Sequence, residues 1–251
     1  MRGKYQIVLL ALLAMTLLIL PTAARAGTNL GLTISSGTTD TLCDNDVDFT
    51  AGNGSSCVHD THDMLPQVGA IQFSGAIGSW NVQSTVGTSQ PVLNFPEMLD
   101  MTNTSINTFG GGSPVTMTLT LTGLTSPLGN IQLVNAIGGT ATGNVTTTIN
   151  VWLSQNNTAF CASGACGTNV ITQTFNTLGT GQIIAGSAIG SVATGAGPYS
   201  LTLQITVDGH GSAASVTFDD DVSIPEPATL SVLGAGLLAL GTGLRKKLLR
   251  A

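Results

Sequence analysis

The sequence predicts an all-β domain over residues 27–222, an antiparallel two-sheet sandwich of jelly-roll type, set between two terminal segments of different character. Three observations predict it. Apolar residues alternate with polar ones at a period of two in several runs, the signature of half-buried strands. The polar positions in those runs are mostly Thr, whose branched Cβ suits a pleated surface and whose hydroxyl faces water without adding charge. Gly, Asn and Ser punctuate the whole stretch, and no window carries a helical apolar period of about 3.6 residues.

The elements follow in order. The clearest strand is 115–122, where Val115, Met117, Leu119 and Leu121 alternate with Thr116, Thr118, Thr120 and Thr122. Over 145–153, Val145, Ile149, Val151 and Leu153 share one face, and Thr146, Thr148, Asn150 and Trp152 share the other. Leu201, Leu203, Ile205 and Val207 alternate with Thr202, Gln204 and Thr206. Weaker candidates are 30–34, 71–73, 80–86, 131–136, 170–175, 182–192 and 215–218. About ten short strands separated by turn signals indicate two packed sheets, each with one apolar and one Thr-rich face. No fixed repeat length supports a solenoid.

Charge is distributed as unevenly as hydrophobicity. All seven Lys and Arg lie near the two ends, and none lies between Gly27 and Ile224. That stretch holds eleven Asp and Glu97. Binding to a nucleic-acid backbone needs cations that replace counterions, and the domain has none. Anionic membrane surfaces are disfavoured for the same reason. Stability must come from burial, hydrogen bonds and disulfides.

The N-terminus reads as a secretory signal peptide over 1–26. Arg2 and Lys4 precede an apolar run at 7–20, and Ala24 and Ala26 supply small residues ahead of cleavage before Gly27. The C-terminus, 223–251, holds Pro225-Glu226-Pro227, an uncharged Gly-rich stretch at 228–244, then Arg245-Lys246-Lys247. The stretch is of the length at which a transmembrane helix starts, and the basic triplet after it stays cytoplasmic. This three-part tail resembles the PEP-CTERM sorting signal of Gram-negative bacteria. The resemblance implies an exported protein, held briefly in the inner membrane by a transmembrane sorting helix. It implies cleavage by a membrane exosortase after signal peptidase has acted. It also implies residence at the cell surface or in an exopolysaccharide or biofilm matrix. The stretch 71–87 and the ending 199–221 loosely resemble an uncharacterised β-rich ectodomain of PEP-CTERM proteins, which carries no assigned catalytic residue.

The remaining chemistry is sparse. Cys43, Cys57, Cys161 and Cys166 are an even set in an exported chain, so disulfides are expected. Three pairings are possible, and 43–57 with 161–166 is favoured because each closes a short loop. Asp44, Asp46 and Asp48 alternate on that first loop in a pattern that suits Ca²⁺, although Phe49 and Ser55 stand where an EF-hand needs Gly and Glu. His59-Asp60-Thr61-His62-Asp63 offers two imidazoles and two carboxylates to a transition metal. His210 sits in a hairpin-turn sequence, and Asp219-Asp220-Asp221 reads as a polar stem beside the membrane. No nucleophile elbow, phosphate loop or marked carboxylate pair is present, so no enzyme is expected. Trp152, on the polar face of its strand, is the best aromatic platform for a sugar. The expected function is a non-enzymatic exported surface or matrix protein. The alternative is a carbohydrate-binding β-sandwich module, and no cofactor is expected beyond Ca²⁺ as an option for that alternative.

Overall fold

The computed structural model describes residues 29–93 and 96–225. The signal-cleavage residues Ala24, Ala26 and Gly27 lie outside the described residues. So do Glu226, Pro227, the 228–244 stretch, Arg245, Lys246 and Lys247; Pro225 is the last residue described. Among the described residues, no helix is long and apolar enough to cross a membrane.

The described chain is all-β and antiparallel. Its strands are β1 (Asn29–Ser35), β2 (Thr39–Cys43), β3 (Phe49–Thr50), β4 (Ser56–Cys57), β5 (Ala70–Ile77) and β6 (Trp80–Ser89). They continue as β7 (Glu97–Thr108), β8 (Val115–Leu124), β9 (Gly129–Ser154), β10 (Thr168–Thr194), β11 (Tyr199–Asp208) and β12 (Ala214–Ser223). β3 and β4 form a small ribbon of their own; the other ten strands form one hydrogen-bonded sheet.

That sheet is folded into two layers by β9 and β10. The first half of β9 pairs with β12, as in Ala141↔Val216 and Asn135↔Val222. Its second half pairs with β11, as in Ile149↔Ile205 and Leu153↔Leu201. β10 follows β9 along nearly its whole length. The first layer is therefore β2-β1-β8-β11 with the second half of β9 and the first half of β10. The second layer is β5-β6-β7-β12 with the other halves. Two separate sheets were expected, with short strands at 131–136, 145–153, 170–175 and 182–192. Each pair of segments is instead one long strand. No Pro or charge interrupts them, and glycines bend the ribbon where a breaker would have ended it. Gly143 (φ 105), Gly179 (φ 125) and Gly181 (φ 62) mark the corner, beside a register shift between Gly179 and Gln182.

The layers pack through their apolar faces. Leu32, Met117, Leu119, Ile149, Leu203 and Ile205 of the first layer are fully buried, as are Val82, Met101, Ile106, Val216 and Val222 of the second. Face-to-face contact is close: Thr85 Oγ1 lies 3.8 Å from Met117 Sδ, and a Cβ on Gly87 would come within 2.5 Å of Leu119 Cδ1. Burying a Leu or Ile side chain contributes about 1.5–3 kcal/mol, so this core is the main source of stability in a domain without Lys or Arg.

Asp219-Asp220-Asp221 is not a stem. It lies within β12, between β9 and β7. Ile224 is buried and its N–H donates to Pro96 O, so the folded unit runs through Ile224. At the side opposite β10, segment 58–69 covers the two outer strands. The N–H groups of Asp60 and Thr61 donate to Thr41 O on β2, and Met64 N donates to Gln72 O on β5. Such covering removes unpaired backbone groups from sheet edges.

Candidate functional site

The outer face of the first layer gathers polar side chains from six strands. Strand register aligns Thr39, Ser35, Thr116, Thr206, Thr148 and Thr174 in one row. The next row is Thr41, Thr33, Thr118, Gln204, Asn150 and Thr172. A third begins at Cys43 and Gly31 and continues through Thr120, Thr202, Trp152 and Asn169. The first two rows carry no charge and remain partly open, apart from the buried Thr118.

Hydrogen bonds hold these side chains in place. Thr116 and Thr206 share a hydroxyl contact of 3.0 Å, and Thr120 and Thr202 share another of 3.0 Å. Asn150 Oδ1 accepts from Thr172 Oγ1 at 2.8 Å and from Asn169 Nδ2 at 3.1 Å. The third row is covered by loop 155–167, which the Cys161–Cys166 disulfide closes. Phe160 stacks over Gly31, where a Cβ would come within 2.7 Å of its ring. Ser200 and Ser154 anchor the loop by donating to Thr158 O and Cys166 O. The polar side of the sheet is therefore open over the first two rows except at Thr118, and in the third it is covered from Gly31 to Thr202 while Asn169 stays exposed.

Trp152 stands where the covered row meets the open one. It faces outward beside Thr202 and Asn169, and it is half-buried, with Nε1 buried and making no hydrogen bond. Trp80 and Tyr199 belong to the core, at 3% and 1% exposure. Beyond the first row, Thr146 Oγ1 lies 2.9 Å from His210 Nε2, so the β11–β12 turn touches the end of the face. Sequence periodicity marked the individual polar strand faces. It could not show that Gln204, Asn150 and Asn169 meet, because their alignment is set by pairings between distant strands.

The two candidate metal loops converge. The Cys43–Cys57 disulfide brings the turn at 44–48 beside residues 58–63. Asp44, Asp46 and Asp48 do not point at one centre. Asp44 Oδ2 accepts from Gly69 N at 2.7 Å, Asp46 Oδ2 lies 3.0 Å from His62 Nδ1, and Asp48 Oδ1 lies 2.7 Å from His59 Nδ1. Nor do all four groups of 59–63 converge: Asp60 accepts from Thr41 N, and Asp63 from the N–H groups of Leu65, Gln72 and Asn45. Backbone donors hold two carboxyls below their ordinary range, the Asp63 N–H for Asp46 and the His59 N–H for Asp48. Burial pushes Asp44 and Asp63 upward.

No known protein family and no curated protein matches the chain. Solved structures with a similar strand arrangement include the module TmCBM61 in complex with β-1,4-galactotriose. It is 12% identical, with a TM-score of 0.32, over 63% of this chain and 88% of that one. Another is the K1 cleaved adhesin domain of Lys-gingipain from Porphyromonas gingivalis W83, 12% identical at a TM-score of 0.34 over 63% and 98%. A third is CBM6cm-2 from Cellvibrio mixtus lichenase 5A with cellotriose, 9% identical at 0.29 over 62% and 97%. At such scores likeness assigns no residue of this chain a role, and the polar face stands on its own chemistry.

Proposed function

We propose that this chain is an exported, non-catalytic surface module that binds neutral polysaccharide on the outer face of its first layer. Residues 1–26 direct export, and the 223–251 tail directs exosortase sorting before the domain reaches the envelope or its polysaccharide matrix. The observation that carries the reading is the pair of open, charge-free hydroxyl and amide rows in a domain with twelve carboxylates and no Lys or Arg. Sugar hydroxyls both donate and accept, and Thr, Asn and Gln answer both without desolvating a charge. The surrounding negative charge repels anionic polymers and so favours a neutral chain. Trp152 adds an apolar surface at the rim for a sugar ring. Two disulfides support residence in an oxidising compartment.

Affinity electrophoresis of the protein through soluble neutral β-glucan and galactan, with alginate as the anionic contrast, tests this reading. Retardation is expected in a neutral polymer and not in alginate. Gln204→Ala and Trp152→Ala should each weaken it about 3–10-fold, the effect of one hydrogen bond or one stacking contact. Free migration through every neutral polymer overturns the proposal. The intact mass of protein recovered from its host tests the sorting part: a chain starting at Gly27 and lacking 245–251 supports it, and a chain retaining 245–251 removes it.

A further inference from the structure

The polar face leaves unused the only two histidines that meet across a loop. His59 and His62 lie with ring centroids 5.9 Å apart, and donor atoms of Asp46, His59 and His62 all lie within 4.8 Å of one another. A tetrahedral ion with bonds of about 2.0–2.1 Å holds its donors about 3.3–3.4 Å apart, so small side-chain rotations suffice. The His62 Nδ1 to Asp46 Oδ2 separation is already 3.0 Å.

The surroundings are built around these three groups. Asp46 Oδ1 accepts from Asp63 N at 2.7 Å, which fixes the carboxylate. Asp48 Oδ1 accepts from His59 N at 2.9 Å and lies 2.7 Å from His59 Nδ1, which leaves Nε2 of that ring as the ligand atom. A carboxylate behind a ligating imidazole is a recurrent support of metal sites. The Cys43 and Cys57 sulfurs are joined to each other and are not ligands. No Lys or Arg lies between residues 27 and 224 to neutralise Asp46 and Asp48, so the only cation that competes with a metal there is the proton on the two imidazoles.

We propose that Asp46, His59 and His62 bind one divalent ion of the zinc class, with Asp48 as the positioning residue of His59. Two imidazoles and one carboxylate suit such a borderline ion, whereas Ca²⁺ takes six to eight oxygens. The site differs from both sequence expectations, since it takes one carboxylate from the first loop and two imidazoles from the second. Its place gives it a consequence. Segment 58–69 spans from β2 in one layer to β5 in the other, and a bound ion pins that span to the 44–48 turn.

The test is calorimetric titration of ZnCl₂ into disulfide-intact, untagged protein recovered from its host, with melting curves alongside. One saturable equivalent is expected, and at a hundredfold excess of free Zn²⁺ over Kd the melting temperature should rise by about 5–10 °C. His62 is 86% exposed at its side chain, so His62→Gln should keep the metal-free melting temperature, whereas Asp46→Asn replaces the charged acceptor of the Asp63 N–H and should lower it slightly. Both should abolish saturable binding. Asp48→Asn should weaken binding about 10–100-fold, the usual effect of losing a supporting carboxylate. His210→Ala, far from the three ligands in the chain, should leave Zn²⁺ binding unchanged. Absence of saturable Zn²⁺ binding overturns the proposal, as does equal binding by the His62 and Asp46 variants or tighter binding of Ca²⁺ than of Zn²⁺.

Discussion

Asp220 is the residue at which burial and charge oppose each other most strongly. It is 1% exposed, on the inner side of β12, where Asn135 Nδ2 donates to its Oδ1. Asn135 Oδ1 accepts in turn from Gln173 Nε2 at 2.6 Å, a bond from the second layer to the first. Asp220 Oδ2 is buried and makes no hydrogen bond. Burial holds this carboxyl well above its ordinary range against the Asn135 hydrogen bond, and Asp221 and Asp100 add to the effect. The fold therefore accommodates the neutral acid. Asp220→Asn keeps an acceptor for Asn135 and cannot ionise, so its urea midpoint at pH 7 should equal or exceed that of the parent. Asp220→Leu leaves a buried amide donor short of a partner and should cost about 1–3 kcal/mol. A clear loss in the Asn variant would mean that the charged form is the one the core requires. The sequence predicts this strand only to 218 and a polar stem at Asp219-Asp220-Asp221, because nothing in the chain announces that Asn135, far off in sequence and held by Gln173, supplies a partner for a buried Asp220.

At the scale of elements, legibility followed the regularity of the polar positions. β8 and β11 show unbroken alternation over 115–122 and 201–207, and the second half of β9 departs from it only at the buried Thr147; each was evident. β7 was not, although it lies between β6 and β12 in the second layer. Its inward residues Met101, Thr104 and Ile106 are interrupted by register shifts against both neighbours, and Thr104 is buried though polar. β2 is short and carries Asp40, and it is not among the strands expected. The disulfide loops were legible as short closures, but the meeting of the 44–48 turn with His59 and His62 depends on left-handed backbone at Asn45 and Asp46 (φ 55 and 57). The bent ribbon of β9 and β10 makes a sharp prediction about two glycines only five residues apart. Gly143 has φ 105, and a Cβ there would come within 2.6 Å of Ala213 O. Gly143→Ala should cost about 2 kcal/mol or more by urea denaturation. Gly138 has open space around its missing Cβ, and Gly138→Ala should be neutral or stabilising by about 0.4–1 kcal/mol. Equal effects at the two positions would remove the corner from Gly143.

For the whole molecule, the excess of carboxylates over cations is plain in the sequence, but its effect on stability depends on which carboxyls the fold buries. Asp100, on β7, is raised to about 6 by burial, with Asp221, Asp219 and Glu97 adding repulsion. Burial also raises Asp40, Asp44, Asp63, Asp220 and Asp221. Each of these groups holds its proton more tightly folded than unfolded, where a carboxyl titrates near about 3.9. Their contribution is complete below about pH 4 and is lost as pH rises through their folded values, through about 6 for Asp100. Asp46 and Asp48 are lowered, so their contribution is present at higher pH and fails only on acidification below about pH 4. Between pH 4 and 8 the two sets do not cancel. The urea midpoint should therefore be highest near pH 4 and fall toward pH 8, with a shallower fall in Asp220→Asn. Added NaCl should raise the midpoint at pH 8, since screening relieves repulsion among carboxylates that have no Lys or Arg partner to lose. A midpoint that climbs from pH 4 to 7, or that drops with salt, would show that favourable pairing of these carboxylates outweighs their burial.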